Sequence, residues 1–318
     1  MIVVDKLNSI LYDFCSKIDF SDFSIFNNYV CLTNIILNNK CPKFKGEIFK
    51  FKLNSSISVV QSFLDNFDDD YGLYFYNRLN DNTFEFSKVK RNSDEKPSSY
   101  YDEDKHKKII YIPFRNSIID SFSIVHEVLH DMNLDVCKRS ICRELFSEFI
   151  SLFGETLLED YMEKNYGFSN LDNFNYNVEC CYYLALDVRF QLELLNYYVN
   201  EGNIDEHVLN YIINDFGNYK DYVGSCYEYI IDNNYLDMNK SFRYLSGILL
   251  TSYTYLLYQE GKITKNNIKS INDNMCYLDP SDIYSILGLK LYDYKTMVLS
   301  AESYNKISES YTKVLKVM

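Results

Sequence analysis

Apolar positions recur at helical spacing along most of this chain. Leu7, Ile10, Leu11, Phe14 and Ile18 fall on one helix face near the N-terminus, and a looser Asn-rich stretch follows. Asp68-Asp69-Asp70 is a run of charge, the expected boundary between an N-terminal helical segment, 1–66, and the remainder, 67–318. The period then shortens. Residues 72–77 (Gly-Leu-Tyr-Phe-Tyr-Asn) and 83–88 (Thr-Phe-Glu-Phe-Ser-Lys), joined by Asn and Asp turn residues, predict a β-hairpin. A polar loop is expected over 90–104, then a third strand through 108–112 stopped by Pro113.

From there the pattern is helical again. Ile118, Phe122, Val125 and Leu129 recur at the spacing of one apolar helix face. A second strong helix is expected from Leu145 to Met162, and others over 176–201, 205–216, 219–232, 240–260 and 281–316, with Gly202, Gly217 and Gly261 as breakers. The expected fold class is mainly α, with a small antiparallel sheet just before the helix that carries Phe122 and Leu129.

That helix also carries the chemistry. His126-Glu127-Val128-Leu129-His130 puts two imidazoles at i and i+4, on one helix face and able to share an ion. Nitrogen ligands of this kind suit Zn²⁺, and the intervening Glu127 is placed to act as general base on a water. A catalytic zinc site needs a third protein ligand. Glu144, Glu148 and Glu155 share one face of the following helix. Glu148 is favoured as ligand, with Glu155 next, or as a carboxylate that orients a histidine from behind. Glu144 ranks third.

Composition narrows the remaining choices. Hydrophobic residues make up 47% of the 318, enough for a sizeable core. The 31 Tyr and 22 Phe make any single aromatic weak evidence for a site. A net charge of -13 argues against a nucleic-acid partner, and the short basic patch Lys105-His106-Lys107-Lys108 does not alter that. The nine cysteines are irregularly spaced and form no CxxC pair, so reduced thiols in a cytoplasmic protein are expected. Cys137 and Cys142, near the motif, read as inert thiols. No apolar run reaches the length of a membrane span, and residues 1–20 form no uninterrupted signal-type apolar region.

Residues 116–127 (Asn-Ser-Ile-Ile-Asp-Ser-Phe-Ser-Ile-Val-His-Glu) resemble the approach to the zinc motif in oligoendopeptidase F and thimet oligopeptidase-type metallopeptidases, "D-x-F-T-x-x-H-E-x-G-H". Residues 147–158 resemble that family's "A-E-x-A-S-T-x-N-E-x-L-L", whose first Glu, its zinc ligand, falls on Glu148. Residues 201–210 resemble "E-G-x-x-L-T-x-x-x-L-N", and Phe242-Arg243-Tyr244-Leu245-Ser246-Gly247 resembles "Y-K-Y-A-T-G". The likeness runs collinearly over about 70–260.

The resemblance implies a zincin-like helical metallopeptidase core, a single Zn²⁺ and peptide substrates. It further implies an oxyanion donor on the later helices, for which Tyr244 and Tyr235 are the candidates. The chain also departs from the pattern. Leu129 replaces the Gly of the motif, and Asn133 replaces a further His. Residues 225–245 contain no counterpart of the family's substrate-binding histidine. The link from His130 to Glu148 is shorter than the family's, and by length alone Glu155 fits better as ligand. The chain is also shorter than family members, mostly at its N-terminal side, which implies a more open cleft or one completed by a protein partner. The alternative to an active peptidase is a peptidase-like module that binds a peptide or protein and turns over poorly.

Overall fold

The computed structural model describes residues 2–16, 30, 32–38, 50–90, 93, 95–133, 141–167, 172–236, 238–274, 282 and 285–288. Apart from residue 282 and 285–288, the helix expected over 281–316 lies outside the described residues, as does Ile18. Helix α1 (Ile2–Cys15) buries Leu7, Ile10 and Leu11, the face its spacing defines. Helices α2 (Leu53–Phe67) and α3 (Asp69–Asn80) pack on each other, and Asp68 caps the second by accepting from the Asp70 backbone N–H at 3.0 Å.

Helix α3 overturns the expected hairpin, because 72–77 lie inside it. Its buried residues Tyr71, Gly72 and Phe75 follow the helical period, while Leu73 and Tyr76 are exposed. Large apolar side chains left exposed at those two positions give the stretch the apolar density of a strand. The sheet is instead built from β1 (Phe84–Lys88), β2 (Ser98–Asp102) and β3 (Lys107–Phe114), in the order β1-β3-β2. It is mixed rather than wholly antiparallel: β1 runs parallel to β3, and β2 antiparallel to it. Strand β2 lies within the stretch expected to be loop, and its polar, half-exposed sequence is that of an edge strand.

Pro113 does not stop β3, which continues through it to Phe114. Ile110 donates to Thr83 on the β1 side, and the Phe114 carbonyl accepts from Val89 on that side too. Residue 113 therefore faces the other edge, where pairing with β2 has ended at Tyr111. The missing N–H costs no ladder bond there.

The remaining expected helices form with small shifts at their ends. They are α4 (Ile119–Asn133), α5 (Ile141–Tyr166), α6 (Asp172–Glu201), α7 (Glu206–Asp215), α8 (Lys220–Asn233) and α9 (Met238–Gln259); a further helix, α10 (Lys265–Asn274), forms where none is expected. Ile118, Phe122, Val125 and Leu129 are all buried, as the spacing requires. Each such side chain contributes about 1.5–3 kcal/mol on burial. Helix α5 is the central element, packed along both α4 and α9. No helix among the described residues is long and apolar enough to cross a membrane.

Candidate metal centre

The helix bearing the histidines is fixed at both ends by buried carboxylates. At its start, Asp120 accepts from the backbone N–H groups of Arg115 at 3.0 and 3.2 Å and of Ser117 at 3.0 Å. These bonds hold the turn between β3 and α4. At its end, Asp131 is fully buried, accepts from the Tyr74 hydroxyl at 2.5 Å and lies 3.0 Å from Arg78 Nε. The Asp131 backbone carbonyl accepts from Lys108 Nζ at 2.9 Å. Residue 130, adjacent to that anchor, inherits its fixed position.

Two glycines bring the neighbouring helices close. A Cβ at Gly154 on α5 would meet Leu129 Cδ1 at 2.2 Å and Val125 Cγ1 at 3.3 Å, on the inward face of α4. A Cβ at Gly247 on α9 would meet Glu148 Cβ at 2.9 Å and Leu152 Cδ1 at 3.0 Å. Glycine at both positions therefore sets the depth at which α5 presents its carboxylates to the histidines.

Those carboxylates divide between two tasks. Glu148 Oε2 lies 3.2 Å from His126 Nε2 and 3.3 Å from His130 Nε2, and the two nitrogens are 3.0 Å apart. Glu155 Oε1 lies 2.6 Å from the opposite nitrogen of His126, Nδ1. With Nδ1 donating to Glu155, neutral His126 carries its free lone pair on Nε2, toward Glu148. Glu144 belongs to α5, but its side chain lies outside the described residues, as do Cys137 and Cys142.

The three converging atoms fit a small divalent ion. A tetrahedral ion with bonds of about 2.0–2.2 Å holds its donors roughly 3.3–3.6 Å apart, within a few tenths of an ångström of the separations here. Two imidazole nitrogens and one carboxylate oxygen are also the donor set of many catalytic zinc sites. His126, His130 and Glu148 thus form a group able to hold a metal ion.

Without an ion, the electrostatics are those of closely packed imidazoles and carboxylates. Burial disfavours a charged His126, but hydrogen bonds with Glu148 and Glu155 outweigh it and raise its pKa well above the ordinary histidine value. Burial likewise disfavours ionised Glu148, and the two histidines override it, holding the carboxylate well below its usual range. Glu127 is also buried, which lifts its pKa, while the nearby His126 and His130 limit the rise.

Burial, and then the nearby charges of Glu148, Glu127 and Glu155, push the Tyr244 phenol pKa above the usual tyrosine value. Tyr235 is 45% exposed, with its hydroxyl 3.2 Å from that of Tyr229. One residue in this region was not singled out from sequence. Arg243 Nε lies 3.0 Å from Glu148 Oε1, and the guanidinium sits 5.6 Å from the centroid of the Tyr244 ring. The only sequence signal for it was its place inside the string ending at Gly247.

Compared with known proteins, the sequence matches no family description and no curated protein. Its fold is nevertheless similar to solved structures. One is a Chlamydophila abortus protein named as a peptidase, with TM-score 0.56 and 14% identity over 97% of this chain and 55% of that one. Another is a Bacillus anthracis str. Ames protein named as an oligoendopeptidase F, with TM-score 0.54 and 10% identity over 95% and 59% of the two chains. PZ peptidase A with inhibitor 2 gives 0.53 and 10% over 95% and 61%. This chain therefore spans less than two thirds of the length of each. At such identities the likeness is one of architecture: a mainly helical, peptidase-like fold with a small sheet ahead of the helix that carries His126 and His130.

Proposed function

We propose that the protein is a zinc-dependent peptidase acting on oligopeptides, with a single Zn²⁺ held by His126, His130 and Glu148. The observation that carries this reading is the convergence of His126 Nε2, His130 Nε2 and Glu148 Oε2 within 3.0–3.3 Å of one another. It occurs within a fold shared with proteins named as peptidases. Zn²⁺ bound there would supply Lewis-acid polarisation of a water and a peptide carbonyl.

The chain's own groups perform the rest. Glu155 fixes the tautomer and plane of His126 through the 2.6 Å contact at Nδ1. Glu127 accepts a proton from the attacking water and returns it to the departing amine as the C–N bond breaks. Its burial, by raising its pKa, makes it a stronger base than an exposed carboxylate. Tyr244, and from the surface Tyr235, are candidate hydroxyl donors to the substrate.

The test pairs metal analysis with hydrolysis of a fluorogenic peptide library. The wild-type chain should hold one zinc per molecule and cleave in a chelator-sensitive way. Glu127→Gln should keep the zinc and lose about 10²–10⁴-fold in rate. Full activity in that variant would sink the mechanism, and zinc without any cleavage by the wild type would point to a peptide-binding module instead.

A further inference from the structure

Glu148 uses its two oxygens differently. Oε2 faces the histidine nitrogens, whereas Oε1 lies 3.0 Å from Arg243 Nε. The guanidinium therefore stands one carboxylate away from the point where the three donors converge. Nε has no access to solvent, yet the Arg243 side chain is 32% exposed against 3% for Glu148. The side chain is thus anchored at Nε and reaches outward from there. Among the described residues, Nη1 and Nη2 of Arg243 make no hydrogen bond, and the closest ion-pair contact of the side chain is through Nε. A guanidinium carries five N–H donors, so the four on Nη1 and Nη2 are available beside the site. The Tyr244 ring, 5.6 Å away, and the close approach of α9 at Gly247 hold the side chain in place.

A fixed, permanently charged donor of this kind is what charge developing on a carbonyl oxygen requires. The contact with Glu148 is made through Nε, so the outward-reaching Nη groups are left for another partner. We infer that Arg243 is a catalytic residue that donates from Nη to the carbonyl oxygen of the scissile peptide. This rests on the peptidase reading above. As the water oxygen bonds to the carbonyl carbon, Glu127 takes the water proton and the C=O π pair moves onto oxygen, beside Arg243. On collapse that pair re-forms C=O, the C–N bond breaks, and the amine takes its proton from Glu127. No oxidant or further reactant is needed.

The experiment compares wild type, Arg243→Ala and Arg243→Lys as full-length, zinc-loaded proteins. Arg243→Ala should keep its zinc and its melting temperature. Its kcat should fall by about 10²–10³-fold, the usual effect of losing one such donor, with KM changed less than about threefold. Methylguanidine in the buffer should restore part of the lost kcat. A phosphinic peptide, which mimics the tetrahedral anion, should lose affinity in parallel with kcat/KM, while the cleaved product peptide binds as before. Arg243→Lys should be intermediate. If Arg243→Ala fails to fold, Arg243→Gln is to be read by the same measurements. Unchanged kcat, loss of zinc, or a rise in KM alone would each overturn the assignment. A wild type that holds zinc but cleaves no peptide would overturn the peptidase reading as well, whereas an active wild type indifferent to Arg243→Ala removes this inference alone.

Discussion

Leu129 occupies the space that a side chain on residue 154 would need: a Cβ on Gly154 would stand 2.2 Å from Leu129 Cδ1. The zinc-motif pattern that this chain resembles has its glycine at the position of Leu129 and an Asn at the position of Gly154. Gly154→Ala should therefore destabilise the fold by about 1–3 kcal/mol through overpacking. Leu129→Ala should cost about 2–5 kcal/mol by itself. The double variant should be more stable than the sum of the two losses predicts. Denaturant melts of the two single variants and the double variant measure this coupling, and strict additivity would refute it.

The Glu155–His126 contact supports the metal group from behind. Glu155→Gln should weaken zinc affinity by about 10–100-fold, while His126→Ala, His130→Ala and Glu148→Ala should each abolish stoichiometric binding. Competition titration with a zinc-selective chelator distinguishes a weakened site from a lost one. Equal losses from Glu155→Gln and Glu148→Ala would mean that the two carboxylates share the ligand role.

Zinc should raise the melting temperature of the wild type and leave His130→Ala unmoved. The gain at a hundredfold excess over Kd is about 2.7 kcal/mol. Scanning calorimetry with and without chelator reads it directly.

Acidity should act oppositely on the metal-free and zinc-loaded proteins. His126 has a raised folded-state pKa, so its charged form adds stability below the ordinary histidine value of about 6.5. That stability is lost as pH climbs through the folded-state value. Glu148 is depressed, so its contribution is present above the usual carboxylate range and is lost as pH falls through its own folded-state value. Metal-free protein should accordingly soften as pH is raised above about 6.5, whereas zinc binding, which needs a neutral imidazole, should tighten. Melts in chelator and in zinc across that range check the crossing.

Asp131→Asn removes a buried charge that meets Arg78 Nε at 3.0 Å and the Tyr74 hydroxyl at 2.5 Å. The expected loss is about 1.5–3 kcal/mol, the usual value for a hydrogen bond to a charged group. Because residue 131 follows His130, zinc affinity should drop too. An unchanged affinity would show that the helix end is held by other contacts.

How much of this was legible from sequence depends on whether the signal was local. The motif helix was readable because Phe122, Val125 and Leu129 report burial while His126 and His130 report chemistry at the same period. The wrong hairpin arose because Leu73 and Tyr76 face solvent, in a chain whose tyrosines occur both in the core and on the surface. Strand β2 was missed because an edge strand of Ser, Tyr and Asp has no apolar face to show. Glu148 and Glu155 could not be separated by spacing, since seven residues return a helix to the same face. Only the depth of α5 against α4 tells them apart, and that depth is set by Gly154. Arg243 was invisible for a related reason: its partner lies on a distant helix, and the contact leaves no periodic trace.

The placement of the donors also bears on how the chain folds. His126, His130 and Glu148 all come from one consecutive helix pair, α4 and α5, whereas Arg243 and Gly247 arrive on α9, far later in the sequence. Local contacts close faster than distant ones. The nitrogen and oxygen donors can thus be gathered while α9 is still undocked, and an ion captured at that stage would act as a nucleus on which the last helix is laid.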